Sequence, residues 1–213
     1  MFKMIVFDMD WTLTPSRWEM EVDMIDLFKK LLKKYKVWVI SGWDFIQFEK
    51  QILKFLWNDK SLLKNLYICP TCGTKMYVFK WWKWEKIYSL DLSDIEINHI
   101  KTVIKKAILD LKLKPKKIYG ELIENRQTQL TYAILWQEAP IELKKVYDPD
   151  YKKRQKIIEY IKNDLKWFDI LIWWTTSIDI TKTWISKAFW VEKLQEISKI
   201  DINEMIFVWD AVF

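Results

Sequence analysis

The chain has 213 residues and a mass of 26.2 kDa, with 51% hydrophobic and 30% charged residues. That is enough apolar material for one or two domains with real cores, and it excludes disorder, collagen-like repeats and low complexity. The formal charge of +6 rests almost wholly on lysines scattered among Glu and Asp, with Arg17, Arg126 and Arg154 the only arginines; solvated helix faces account for this pattern, and no nucleic-acid-binding motif accompanies it.

Lys3–Phe7 is a short apolar run that meets Asp8 abruptly, as buried parallel strands do when they end at a polar site. Residues Glu19–Lys34 carry a helical stripe of Met20, Met24, Leu27, Phe28, Leu31 and Leu32. Val37–Ile40 reads as a second strand ending at Ser41-Gly42, and Asp44–Leu56 as an amphipathic helix. This strand, helix, strand, helix order predicts an α/β fold, a Rossmann-like parallel sheet with its working residues at the carboxyl ends of the strands. Leu66–Ile68, Met76–Phe79 and Lys86–Leu90 follow as strands, the last two a hairpin around Trp81-Trp82. Ser93 is a plausible N-cap for a helix to Asp110, followed by strands at Lys117–Ile123 and Gln129–Leu135. Pro149–Leu165 reads as a helix and Phe168–Ile172 as a strand; Ser186–Ile197 is helical, and Met205–Val208 is an apolar strand delivering Asp210. The domain pattern expected is a core at 1–83, an inserted α/β module at 84–180, and the core resumed at 181–213.

Cys69 and Cys72 have C-x-x-C spacing, but two thiols cannot fill a four-thiolate zinc site and the single His99 is remote in sequence. Reduced, structural cysteines are expected. No apolar run approaches the roughly 18 residues of a membrane span, and the N-terminus lacks a basic segment followed by a long apolar stretch. A cytoplasmic protein with no membrane or nucleic-acid partner is expected, with a homodimer left open as its assembly.

Asp8 and Asp10 stand at i and i+2 just past a strand, so one turn can present both carboxylates while Met9 points away. One can attack phosphorus to give an aspartyl phosphate, and the other can protonate the leaving oxygen and later activate the acceptor. Thr12 and Ser41 add hydroxyls, Lys187 a cation and Asp210 a further carboxylate. Together these describe a phosphoryl-transfer site assisted by Mg2+, in which the metal and Lys187 offset charge on the transferring group.

The chain holds 15 tryptophans and 3 glycines, although a chain of this length ordinarily carries about 15 glycines. Many of the tryptophans fall where a turn or a phosphate loop favours a residue without a Cβ: Trp11 after Asp10, Trp43 after Gly42, and Trp173-Trp174 after a strand. Read as glycine at most of these positions, the chain regains the usual glycine share of about 7%. The expectation is that UGA codons read as glycine by the cell stand here as tryptophan.

With glycine restored at position 11, Asp8-Met9-Asp10-Trp11-Thr12-Leu13-Thr14 resembles the D-x-D-G-T-[LV]-[TL] signature of the haloacid dehalogenase superfamily. Val39-Ile40-Ser41-Gly42 is similar to its second motif, Lys187 to its third, and Val208-Trp209-Asp210 to the start of its fourth. The inserted module lies where the type-IIB α/β cap of that superfamily lies. Within it, Thr12 to Arg17 resembles the T-L-T-x-x-R of eukaryotic-type phosphomannomutases, Ile123 to Arg126 their I-E-F-R, and Trp173 to Ile180 their G-G-x-x-S-F-D-V. The resemblance implies that Arg17, Arg126, Ser177 and Asp179 hold a phosphorylated sugar, and that Asp8, Asp210 and the backbone carbonyl of Asp10 are the metal ligands.

Two mutase arginines lack counterparts around Ile134 to Pro140, and a mutase must clamp a bisphosphorylated intermediate at either end. A sugar-phosphate phosphatase is therefore expected, with a phosphomannomutase interconverting mannose 6-phosphate and mannose 1-phosphate, or a non-catalytic binding protein of the same fold, as alternatives. Arg154, within Lys152–Lys156, reads as a solvated helix face rather than a replacement clamp. The chain stops at Phe213, before the second acidic residue of the family's fourth motif, so a fragment is expected, and its literal polypeptide is expected to fold poorly and to lack phosphatase activity. Sequencing the coding DNA should show UGA at positions 11, 43, 173, 174 and 209; UGG there overturns the decoding expectation.

Overall fold

The computed structural model describes residues 1–113, 117, 119–135, 138–173, 176–183 and 187–210, the side chains at 173, 187 and 188 excepted. Two compact units divide the chain, Met1–Leu90 with Ser186–Phe213, and Asp91–Ile185. The strands of the first are β1 (Met4–Asp8), β2 (Lys36–Ile40), β3 (Leu66–Cys69), β4 (Lys75–Lys80), β5 (Lys83–Ser89) and β10 (Met205–Val208). They form one sheet in the order β10-β1-β2-β3-β4-β5, parallel from β10 to β3 and closed by the antiparallel β4 and β5. Residues 84–89, placed with the insert on sequence grounds, pair with β4 and so belong to this sheet.

β1 is apolar almost throughout because both of its faces are covered. Ile5 and Phe7 pack with Phe28 and Leu32 of α1 (Val22–Lys34) and Phe48 of α2 (Phe45–Gln51), whereas Met4 and Val6 pack with Trp190 and Leu194 of the helix Lys187–Ser198. Burying side chains of this size contributes about 1.5–3 kcal/mol each. Asp23 in the first turn of α1 and Lys33 and Lys34 in its last match the charge preference of helix ends. α2 is shorter than its apolar pattern predicts. The Gln51 carbonyl accepts from Met20 N–H at 3.1 Å, Ile52 leaves helical geometry at φ −127°, and short 3-10 turns follow. Cys69 is buried and Cys72 exposed, both as free thiols.

The second unit holds β6 (Ile123–Asn125), β7 (Leu130–Ala133), β8 (Phe168–Trp173) and β9 (Ser177–Lys182) as an antiparallel sheet in the order β6-β7-β9-β8. Leu130, Tyr132, Ile178 and Ile180 pack with Ile100, Val103 and Ile104 of the helix Asp94–Asp110 and with Ile157 and Ile161 of the helix Lys152–Ile161. Ser93 caps the first helix as predicted. Its hydroxyl accepts from Glu96 N–H while the Glu96 carboxylate accepts from Ser93 N–H. The strand expected over Lys117–Ile123 is confined to Ile123–Asn125 among the described residues; 114–116 and 118 lie outside them. The helix expected over Pro149–Leu165 is confined to Lys152–Ile161, and a separate helix, Ile141–Tyr147, precedes it; Asp148 lies between the two and accepts from the N–H groups of Lys153 and Arg154. Arg154, expected on a solvated face, is fully buried, with its Nε donating to Asp148 Oδ2 at 2.8 Å.

The tryptophans behave unlike core residues at several positions. Trp81 and Trp82 form the two-residue loop of the β4–β5 hairpin, with Lys80 paired to Lys83, at φ 50° and 64° and with 86% and 73% exposure. Positive φ at both loop residues is the turn that glycine and asparagine serve and that an indole side chain disfavours. Trp11 is likewise left-handed at φ 61° and exposed, and Trp38, buried in β2, has an indole N–H with no hydrogen-bond partner. The backbone at positions 11, 81 and 82 agrees with glycine there, whereas Trp38 stacks on Tyr67 with ring centres 5.0 Å apart and packs as a core residue. Trp84 also differs from those three, because its ring packs edge-on against Phe45 and Phe79. Changing Trp81-Trp82 to Gly-Gly should raise the unfolding free energy by about 1–2 kcal/mol, the cost of two left-handed residues that glycine removes. Urea denaturation checks this, and an unchanged midpoint overturns it.

Candidate active site

β1 ends at Asp8, directly beside Ile40 of β2, and the chain then folds back on itself. Leu13 N–H and Thr14 N–H both donate to the Met9 carbonyl, and Trp11 N–H donates to the Thr14 carbonyl at 2.7 Å. Met9 is buried in the core, so Asp8 and Asp10 stand on the opposite side of the strand end. Burial, with Asp210 and Asp10 as nearby negative charges, pushes the Asp8 carboxyl up to about 6, and a hydrogen bond from Met9 N–H opposes the rise. Asp10 Oδ2 accepts from Ser16 Oγ at 3.2 Å and from the Trp43 indole Nε1 at 2.6 Å. Asp10 Oδ1 and Thr12 Oγ1 are buried with no hydrogen-bond partner among the described residues. Arg17, left-handed at φ 65°, is exposed, and its guanidinium carbon lies 4.6 Å from the centre of the Trp43 ring.

Ser41 follows β2 and is buried; its N–H donates to the Cys69 carbonyl, and its Oγ accepts from Trp43 N–H at 3.3 Å. Parallel pairing thus sets Asp8 and Ser41 at the same edge of the sheet. Asp210 follows β10 on the other side of β1, where it is exposed. Lys187 opens the final helix of this unit, but its side chain lies outside the described residues. No three Cys, His, Asp or Glu side chains among the described residues are placed to hold a metal ion by themselves. The donor set expected here is smaller on that count, two carboxylates and a main-chain carbonyl. The negative charges of Asp10 and Asp210 beside Asp8 and the partnerless Asp10 oxygen fit a hard, oxygen-binding cation such as Mg2+.

In the second unit the sheet face opposite its core is polar. Register lines up Glu124, Thr131, Asp179 and Leu171 across the four strands. Asp179 is buried; Thr131 Oγ1 donates to its Oδ1 at 2.7 Å, and Gln129 Nε2 donates to Thr131 Oγ1 at 3.0 Å. Burial raises the Asp179 carboxyl above its ordinary value, with Arg126, Thr131 and Gln129 opposing the rise. Arg126, also buried, pairs with Glu124 at 2.7 Å, and Ser177 begins β9, half-buried. Arg126, Ser177 and Asp179 therefore share one sheet with this polar chain. Gln129 and Thr131 were not singled out from the sequence, where nothing distinguishes them from ordinary strand residues. Ser16 and Lys75 were missed for the same reason.

Solved structures share this fold. The IMP-nucleotidase of Plasmodium falciparum superposes with a TM-score of 0.66 at 14% identity over 97% of this chain. A haloacid dehalogenase-like hydrolase from Bacteroides thetaiotaomicron gives 0.67 at 13% identity, covering 97% of this chain and 81% of its own. The fold is the haloacid dehalogenase-like one. The trehalose-6-phosphate phosphatase of Aspergillus fumigatus shares it at a TM-score of 0.53 and 16% identity, over 97% of this chain and 71% of that one. This chain spans 58% of the nucleotidase chain it matches. No family model matches the sequence.

In this fold a half-buried strand-end carboxylate leaves a signature in stability. Asp8 binds its proton more tightly folded than unfolded, so stability is highest below pH 4 on its account and falls as pH rises from the ordinary carboxylate value through about 6. In chelator-containing buffer, Asp8→Asn should raise the melting temperature at pH 7 and leave it unchanged at pH 4. Equal melting temperatures for both proteins at pH 7 overturn this.

Proposed function

We propose that the protein is a phosphatase of the haloacid dehalogenase superfamily that hydrolyses a sugar phosphate through an aspartyl phosphate on Asp8. The observation that carries this reading is the pair Asp8 and Asp10 at the end of β1, with Ser41 at the end of the adjacent strand. Ionised Asp8 attacks phosphorus through a carboxylate oxygen, and the bond from phosphorus to the ester oxygen breaks. Asp10, protonated, gives its proton to the departing oxygen. Asp10, now a carboxylate, takes a proton from water as that water attacks the aspartyl phosphate, which releases phosphate and restores Asp8. Thr12, Ser41 and Lys187 hold the phosphoryl oxygens. Asp8, Asp210 and the carbonyl of residue 10 would hold Mg2+, which would supply positive charge against the transferring group.

Three further features support a phosphorylated substrate of polyol character. Two of the proteins that share this fold are an IMP-nucleotidase and a trehalose-6-phosphate phosphatase. Arg17 is an exposed cation over the Trp43 ring, whose indole N–H reaches Asp10, and the polar sheet face of the second unit offers Arg126, Ser177 and Asp179 to phosphate and hydroxyl groups. The domain roles follow: a catalytic core, and a type-IIB cap formed by the second unit. A phosphomannomutase would keep Asp8 phosphorylated and return the group to another sugar hydroxyl.

Assay of the full-length protein, decoded as its own cell decodes it, separates these readings. Mannose 1-phosphate should release inorganic phosphate at a rate independent of glucose 1,6-bisphosphate; isomerisation without phosphate release would establish the mutase instead. Asp8→Asn should lower kcat by at least about a thousandfold, and beryllofluoride should be trapped at Asp8. Turnover unchanged in Asp8→Asn defeats the assignment, and a protein with neither turnover nor trapping is a non-catalytic binder of the same fold.

A further inference from the structure

Lys75 opens β4 at the edge of the sheet where β2 and β3 end, and it is withdrawn from solvent, with only 2% exposure. Its Nζ lies 3.0 Å from Asp44 Oδ1, the same oxygen that accepts from Phe45 N–H at 2.8 Å. The turn that precedes it is held against the loop 41–44 by main-chain bonds. Cys72 N–H donates to the Ser41 carbonyl and Thr71 N–H to the Trp43 carbonyl, both at 2.9 Å, while Ser41 N–H donates to the Cys69 carbonyl at 3.2 Å. Thr71 and Cys72 reach these positions only in left-handed conformations, at φ 49° and 56°, and for a β-branched residue that is a strained backbone.

Stability does not explain the lysine. A buried ammonium costs free energy that its ion pair at best offsets, and an apolar side chain of similar size would fill the place without that cost. Its charge also sits beside the N-terminus of α2, against the helix dipole, and Asp44 caps that helix with or without it. What the pair does accomplish is to fix Asp44, and with it the segment that carries Ser41. Apart from the ion pair these contacts are main-chain, so they hold whichever side chain occupies position 43.

We propose that Lys75 is a positioning residue: through Asp44 and the turn at 70–74 it holds the loop 41–44 so that Ser41 faces the phosphoryl group bound at Asp8. This rests on the phosphatase reading of the site. The test is inhibition of the full-length protein by inorganic phosphate, alongside kcat, KM and melting temperature, for Lys75→Met, Asp44→Asn and the double variant. Each single variant should weaken phosphate inhibition about tenfold and lower kcat more than it raises KM, and the double variant should be no worse than either, as for two residues acting as one unit. A lower melting temperature with unchanged phosphate inhibition makes the pair merely structural and overturns the proposal. If Lys75→Met does not fold, Asp44→Asn decides alone by the same criterion. Wild-type protein that neither hydrolyses phosphate esters nor traps beryllofluoride at Asp8 defeats the underlying reading and the proposal with it; an active wild type with indifferent variants defeats only the proposal.

Discussion

The register of three parallel strands governs the first unit. β1 runs between β10 and β2, with Met4 beside Met205 and Lys36, and Asp8 beside Ile40. Because all three strands point the same way, their carboxyl ends form one edge, and whatever follows each strand is delivered there: Asp8 and Asp10 after β1, Ser41 after β2, Asp210 after β10. The apolar packing of β1 on both faces keeps that register, since a shift of one residue would turn Ile5 and Phe7 away from α1 and toward the opposite layer. The chemistry at the edge therefore depends on packing several residues away from it. The raised proton affinity of Asp8 follows from the same geometry, which withdraws a carboxylate from water and sets two others near it.

Much of this was legible in the sequence. An apolar run stopping abruptly at an acid, repeated at Met205 to Asp210, is a local pattern with a local cause, and the strands and most helices of the first unit follow it closely. The carboxylate pair could be read for the same reason, because two residues of one turn share a location whatever the rest of the chain does. Elements fixed by distant partners were not legible. Nothing in Asp148-Pro149 announces that the carboxylate turns inward to pair with Arg154, or that the helix expected from Pro149 begins only at Lys152. Lys75 reads as one more lysine among many until Asp44, thirty-one residues earlier, is found beside it. Gln129 and Thr131 gain their meaning only from the strand pairing that brings Asp179 opposite Thr131.

The tryptophans link composition to conformation. A surplus of indoles could by itself signal an aromatic core, and Trp84 packs as such a residue should. Trp11, Trp81 and Trp82 do the reverse, holding left-handed backbone with their rings in solvent, so that they forgo apolar burial and incur steric strain together. At Trp43 the indole donates to Asp10 Oδ2, the group assigned to proton transfer, and a glycine there would leave that oxygen with Ser16 as its side-chain donor. Backbone geometry thus preserves a residue preference that the letters of the sequence do not display.

The buried pair of Asp148 and Arg154 constrains how the second unit can change over time. Loss of either partner alone leaves an uncompensated charge inside the protein, a penalty of about 3–5 kcal/mol, whereas replacing both with apolar groups of matching volume is close to neutral. Single substitutions at these sites are steep steps in an otherwise shallow landscape. The two positions are consequently expected to vary in concert, and an arginine at 154 in a descendant chain implies an acid at 148, although neither residue meets the solvent.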